Sequence, residues 1–184
     1  RALVERALED FEEKALRRRD AFRVGVAHND ANDNNILVAD DDGGGADDAS
    51  PRPVVGLLDF GDVVETWVVN EIAISAAYFA LGKDDPIAAV AEMVRGYVSV
   101  FPLTGVELAA TPTLVRARLA CSCVCGAYSA MEDPGNAAYL LLHAGPGWET
   151  LRKLTDAGDE ALLRAFDAAA RRDARVPSPI RRDE

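Results

Sequence analysis

One short stretch does most to restrict what this chain can fold into: His28-Asn29-Asp30-Ala31-Asn32-Asp33-Asn34-Asn35. Asn and Asp side chains compete for nearby backbone hydrogen bonds, which opposes helix and strand alike, so these eight residues form a loop. The chain enters it from the short apolar segment Phe22 to Ala27 and leaves it through Ile36 to Ala39, a strand candidate. Val54 to Leu58 is a second strand candidate, and the intervening ADDDGGGADDASPRP is low-complexity sequence. Together they predict a β-hairpin beside the loop, with a disordered tip over 39–53. The acidic run Asp40 to Asp48 reads as solvated, because three consecutive glycines oppose the fixed geometry a metal site needs.

Everything else reads as helix. Leu3, Ala7, Leu8, Phe11 and Ala15 fall on one face of an N-terminal amphipathic helix of about 17 residues. Asn70 to Leu81 is apolar almost all round, which predicts burial on every side. Asp85-Pro86 starts a helix with a cap and Pro at its first position, and Thr104 with Glu107 is a capping-box signature. Thr111-Pro112 reads as a further helix start, leading to a helix broken by Asp133-Pro134-Gly135. Tyr139 to His143, Trp148 to Leu154 and Glu160 to Arg171 complete a helical array, and 173–184 reads as linker or tail. The fold class is α+β, predominantly α, with one small hairpin.

Charge and composition exclude several functions. A formal net charge of −11 works against a nucleic-acid partner, whose phosphates are bound by displacing counterions with Lys and Arg. It suits a small cationic partner better. No uninterrupted apolar run approaches the roughly 20 residues of a membrane span, and no signal-peptide pattern opens the chain, so the expectation is cytoplasmic. Cys121, Cys123 and Cys125 suit neither a disulfide framework nor zinc spacing; on a helix the first and third share a face. The start at Arg1, without Met, is read as a piece of something longer.

The loop reads His28-x-Asp30-x-x-x-x-Asn35, and Asp59-Phe60-Gly61 follows at the mouth of the second strand. Phosphoryl transfer needs a carboxylate to orient the attacking hydroxyl and accept its proton, and oxygen ligands to hold Mg²⁺ against the phosphates. The two motifs in this order match the kinase pattern. On VAHNDANDNNILV (Val26 to Val38) and VVGLLDFGDVVETWVVNEIAISAAYFAL (Val54 to Leu81), the chain resembles the C-terminal lobe of the aminoglycoside phosphotransferase and choline kinase group. Within that group the likeness is to the hydroxylysine kinases and to the kinase-like domain fused to class III aminotransferases, and it covers about residues 1–170 of a lobe that would span 1–172.

That resemblance implies a protein-kinase-like lobe using Mg²⁺ with GTP or ATP to phosphorylate a small cationic amine, 5-hydroxylysine in first place. It makes Asp30 the catalytic base, Asn35 and Asp59 the metal ligands, and His28 and Glu71 supports of the loop. Glu71 would accept backbone N–H bonds from the loop, since a buried charge must be paired. Asp62 and Trp67 fall where the substrate would sit, although packing is the plainer reading of Trp67. A downstream aminotransferase is a further implied partner.

Two departures accompany it. Asn29 stands where many relatives have Gly, which left-handed Asn tolerates. No G-x-G-x-x-G loop or strand lysine precedes the motif, and Lys14 sits on a helix, so the N-terminal lobe is missing and these residues alone should bind nucleotide poorly. Other classes stay open. One is a catalytically silent lobe serving as a binding or regulatory module. The other is a calcium loop over Asp30, Asn32 and Asn34, which lacks Gly at its sixth position and Glu at its twelfth.

Overall fold

The computed structural model describes residues 1–39 and 52–172. Most of the hairpin tip and the whole 173–184 tail therefore lie outside the described residues. The chain runs α1 (Ala2–Lys14), β1 (Val24–Ala27), β2 (Ile36–Val38), β3 (Val54–Leu57), β4 (Val64–Trp67), α2 (Val69–Phe79), α3 (Pro86–Val100), α4 (Gly105–Glu132), α5 (Ala137–Leu140) and α6 (Ala144–Arg171).

The strands form two antiparallel ribbons. β2 pairs with β3, Ile36 opposite Leu57, as the hairpin reading requires. The second ribbon corrects the expectation of a single hairpin: β1 pairs with β4, from Val24 opposite Trp67 to Ala27 opposite Val64. Its strands are four residues long and largely exposed, so they lack the strong burial alternation that reveals a strand in sequence. The catalytic-loop candidate leaves β1 and enters β2, while Asp59 to Val63 links β3 to β4. The two connections are thereby brought to the same end of the ribbons.

The core lies among the helices. Val69, Ile72, Ala73, Ala76 and Ala77 of α2 meet Val90, Val94, Leu114, Val115, Leu151, Leu154, Leu162 and Phe166. α2 is buried on nearly every side, as its uniform apolarity predicts. Asp85 caps α3 by accepting from the Ala88 N–H, with Pro86 at the first helical position. Thr104 and Glu107 form the expected capping box at the start of α4.

α4 does not restart at Thr111-Pro112; it runs unbroken for 28 residues with Pro112 inside. An internal proline costs about 3 kcal/mol, yet Ala110, Thr111, Pro112, Thr113 and Leu114 are all buried here, and the Thr111 hydroxyl donates to the Glu107 carbonyl at 2.9 Å. Packing outweighs the local stop signal. α4 is also apolar and long enough to cross a membrane by composition, with an 18-residue window of mean hydropathy 1.2, but 61% of that window is buried inside the fold. α6 contains the separation foreseen between Trp148–Leu154 and Glu160–Arg171, at Gly158, whose φ of 75° and ψ of 169° interrupt the helix.

Two ionic clusters tie the layers together. Glu107, with no exposed surface, accepts from Arg23 Nε at 2.9 Å and Nη2 at 2.6 Å, from the Arg23 backbone N–H at 3.0 Å and from the Thr104 N–H at 2.8 Å. Burial by itself would raise its pKa; the Arg23 and backbone donors outweigh that and hold it below the ordinary value. Lys14 bridges Asp10 and Asp159, both at 2.8 Å, and buried Arg116 contacts the same two carboxylates. The one lysine before the loop is thus a brace between α1 and α6.

Candidate active site

The loop is shaped from within and held from three directions. Asn29 adopts a left-handed φ of 65°, the geometry that makes Asn an acceptable replacement for Gly. Its N–H donates to Glu71 Oε2 at 3.1 Å, so the acidic residue opening α2 has the contact expected of it. His28 Nε2 lies 2.8 Å from the Leu58 carbonyl, and the Asp30 N–H approaches Nδ1 at 3.4 Å. That pair of partners assigns the proton to Nε2. The His28 ring also meets Phe60 edge-on at 5.0 Å, which couples the loop to the Asp59-Phe60-Gly61 turn.

Asp30 and Asn35 are joined directly. Asn35 Nδ2 donates to the Asp30 carbonyl at 2.9 Å and to Asp30 Oδ2 at 3.0 Å; Asn32 Nδ2 donates to the same Oδ2 at 2.9 Å. Asn32 in turn accepts from the Asn34 N–H at 2.8 Å, closing the turn. With its nitrogen committed to Asp30, Asn35 has its amide oxygen left over for another partner. The Leu58 N–H donates to the Asn35 carbonyl at 2.8 Å, so Asp59 is the next residue along from Asn35's backbone partner. Asp59 is itself left-handed, φ 55° and ψ 79°, and one of its carboxylate oxygens accepts the Gly61 N–H at 3.2 Å.

The donor set suits Mg²⁺. An amide oxygen and a carboxylate on adjacent strand ends are hard oxygen ligands, too few for a closed protein cage and suited to an ion that keeps waters and takes phosphate oxygens. Among the described residues no cluster of three or more His, Cys, Asp or Glu side chains could hold a metal by itself. The calcium-loop alternative loses two of its ligands, since Asn32 Oδ1 accepts from the Asn34 N–H and the Asp30 carboxylate accepts from Arg118, Asn32 and Asn35.

Arg118 is the residue that sequence reasoning misses. Its Nη2 donates to Asp30 Oδ1 at 3.1 Å and to the Tyr78 hydroxyl at 3.1 Å, with the guanidinium 5.2 Å over the Tyr78 ring. It lies 88 residues from Asp30, on α4. The available signal was that Arg116 and Arg118 are the only charges between Leu108 and Met131, and a charge on a buried apolar helix must be paired.

Two of the substrate candidates fare differently from the loop. Asp62 is exposed at the end of a 3₁₀ turn over Phe60–Asp62, near Asp59 in the chain. Trp67 is not at the site: it sits at the Val24 end of the β1–β4 ribbon, away from the loop, against Phe22 at 5.1 Å and Phe11 at 6.3 Å. Those rings, one just before β1 and one on α1, recruit it into packing. Cys121 and Cys125 share a face, their sulfurs 3.8 Å apart and exposed, and Cys123 is buried.

The chain is 37% identical to the hydroxylysine kinase of Mus musculus over 162 residues, 88% of this chain and 43% of that protein. It is 34% identical to that of Bos taurus over the same share of each, and 30% identical to that of Danio rerio over 91% of this chain and 46% of the relative. The chain thus spans less than half the length of the relatives it matches. No solved structure matches significantly. Residues 1–107, which contain the whole loop and the Asp59 turn, match the phosphotransferase enzyme family (APH), and the chain belongs to that family.

Proposed function

We propose that this chain is the catalytic part of a small-molecule kinase that moves the γ-phosphate of ATP or GTP to the hydroxyl of a small amine, with 5-hydroxylysine as the favoured acceptor. The observation that carries the reading is the hydrogen-bonded Asp30–Asn35 pair set beside Asp59. Asp30 orients the acceptor hydroxyl and takes its proton as the oxygen bonds to the γ-phosphorus and the bond to the β-phosphate oxygen breaks, releasing the nucleoside diphosphate. Asn35 and Asp59 would hold Mg²⁺, which neutralises charge on the phosphates. His28 and Glu71 keep the loop in register. The relatives' names support the acceptor, and the acidic character of the chain suits its ammonium groups. Free thiols accord with a cytoplasmic setting.

The test is an acceptor panel with full-length protein: 5-hydroxylysine, choline, ethanolamine, homoserine and an aminoglycoside, each with ATP and GTP. Phosphorylation of 5-hydroxylysine, lost by a factor of about 10²–10⁴ in Asp30→Asn, is the expected result. Normal turnover by Asp30→Asn overturns the mechanism. Phosphorylation of none of the panel makes the chain a silent binding module instead.

A further inference from the structure

An arginine on the base fits poorly with an acceptor recognised only as a cation. Arg118 Nη2 lies 3.1 Å from Asp30 Oδ1, so its guanidinium borders the space an acceptor hydroxyl must enter to reach that carboxylate. A fixed positive charge there repels an ammonium group and attracts a carboxylate.

The guanidinium is also underused. Arg has five N–H groups. Nη2 serves Asp30 and Tyr78, whereas Nε is buried with no hydrogen-bond partner among the described residues. Nε is closed off from solvent, so an incoming anion would meet Nη1, which forms no hydrogen bond among the described residues. The group is pre-oriented by the Tyr78 ring beneath it, and the Tyr78 hydroxyl, accepting from Arg118, has Ser122 Oγ at 2.9 Å as its other partner. At 27% side-chain exposure, Arg118 remains within reach of a ligand.

We propose that Arg118 takes the α-carboxylate of an amino-acid acceptor and so makes the site select hydroxylated amino acids over the corresponding amines. This rests on the kinase reading above and adds the part of the substrate that reading leaves open. In 5-hydroxylysine the carboxylate carbon and the hydroxyl-bearing carbon are four C–C bonds apart, about 5 Å when extended. That span suits a molecule with one end on Asp30 and the other on the guanidinium beside it.

The experiment compares 5-hydroxylysine, its carboxamide and its decarboxylated amine as acceptors for full-length wild-type protein, Arg118→Lys and Arg118→Gln. Wild type should use the amino acid with a kcat/KM at least about tenfold above either analogue. In Arg118→Gln all three rates fall together as Asp30 loses a partner, but the preference itself should shrink to within about threefold, chiefly through KM for the amino acid. Arg118→Lys should restore part of it. Equal use of acid and carboxamide by wild type overturns the proposal without requiring any variant to fold. An unchanged preference in Arg118→Gln also overturns it and leaves Arg118 as a residue that only positions Asp30. Turnover of choline or ethanolamine with none of the three lysine derivatives refutes this selection while the kinase reading stands. Turnover of no acceptor at all refutes both.

Discussion

The Asn29 N–H donates to Glu71 Oε2 at 3.1 Å, joining a left-handed loop residue to the first turn of a buried helix 42 positions away. Removing the carboxylate leaves a partly buried N–H without an acceptor, at a cost of about 1–3 kcal/mol. Glu71→Ala should lower stability by that amount in urea titration and reduce kcat more than nucleotide affinity. Asn29→Gly, which keeps the backbone geometry, should be close to neutral, and Asn29→Val should not.

Metal dependence separates the roles of the two proposed ligands from that of the proposed base. Asp59→Ala in the full-length protein should raise the Mg²⁺ concentration needed for half-maximal rate by at least about tenfold while thermal unfolding changes little, because Asp59 is exposed and among the described residues its side chain makes a single hydrogen bond, to the Gly61 N–H. Asn35→Ala should raise the Mg²⁺ requirement and also lower the melting temperature, because it strips two hydrogen bonds from Asp30. A magnesium titration of initial rates, paired with melting curves, checks this.

Glu107 sets an acid limit on the fold. Its pKa is held below the ordinary 4.5 by Arg23 and backbone donors that outweigh burial. The unfolded chain therefore binds this proton at higher pH than the native one. The stabilisation is complete above about pH 4.5 and is lost as pH falls through the lower native value. Asp159, lowered by Lys14 and Arg116 against its burial, acts with the same sign. Arg23→Ala should cost about 3 kcal/mol by stranding a buried carboxylate, and it should flatten the acid limb of stability against pH. Chemical denaturation between pH 3 and 7 measures both.

Two glycines in α6 should respond to alanine for different reasons. At Gly147 an added Cβ would lie 2.7 Å from Cys123 Sγ, so Gly147→Ala overpacks the α4–α6 contact by about 1–3 kcal/mol. At Gly158 nothing lies within 4 Å and the penalty comes from φ of 75° with ψ of 169°, a region essentially reserved for glycine, about 1–3 kcal/mol. Cys123→Ala should rescue the first variant and leave the second unchanged in a double-mutant cycle.

Thiol chemistry gives an independent check on packing. Burial pushes the Cys123 pKa up to about 11, and the residue is enclosed, while Cys121 and Cys125 are exposed. Brief alkylation at neutral pH followed by peptide mass mapping should label the exposed pair and spare Cys123. Labelling of Cys123 at a comparable rate would contradict the α4–α6 packing.

Features with a local physical cause were readable before any coordinates. Asp85-Pro86 and Thr104/Glu107 work through hydrogen bonds within one helical turn, whereas the expectations for Asn29 and Glu71 came from the family resemblance. What eluded the sequence depends on tertiary surroundings. Pro112 is a stop signal overruled by the burial of its neighbours, and Val64 to Trp67 is a strand only because β1 lies beside it. Trp67 follows the Asp59 motif in the chain but is drawn to Phe11 and Phe22. Arg118 reaches Asp30 across 88 residues, and no spacing rule extends so far.

The three braces on the loop also differ in how much of the chain each must bring together. The contacts of His28 with Leu58, Asn29 with Glu71 and Asp30 with Arg118 close chain segments of 30, 42 and 88 residues. Longer closures carry a larger entropic cost and are favoured only once the intervening elements have docked. Asp30 therefore has its final environment only once α4 has seated against α2, whatever the order in which the shorter contacts form. A partly folded chain with every helix formed would still lack a competent loop, so recovery of activity on refolding reports completion of the helical core.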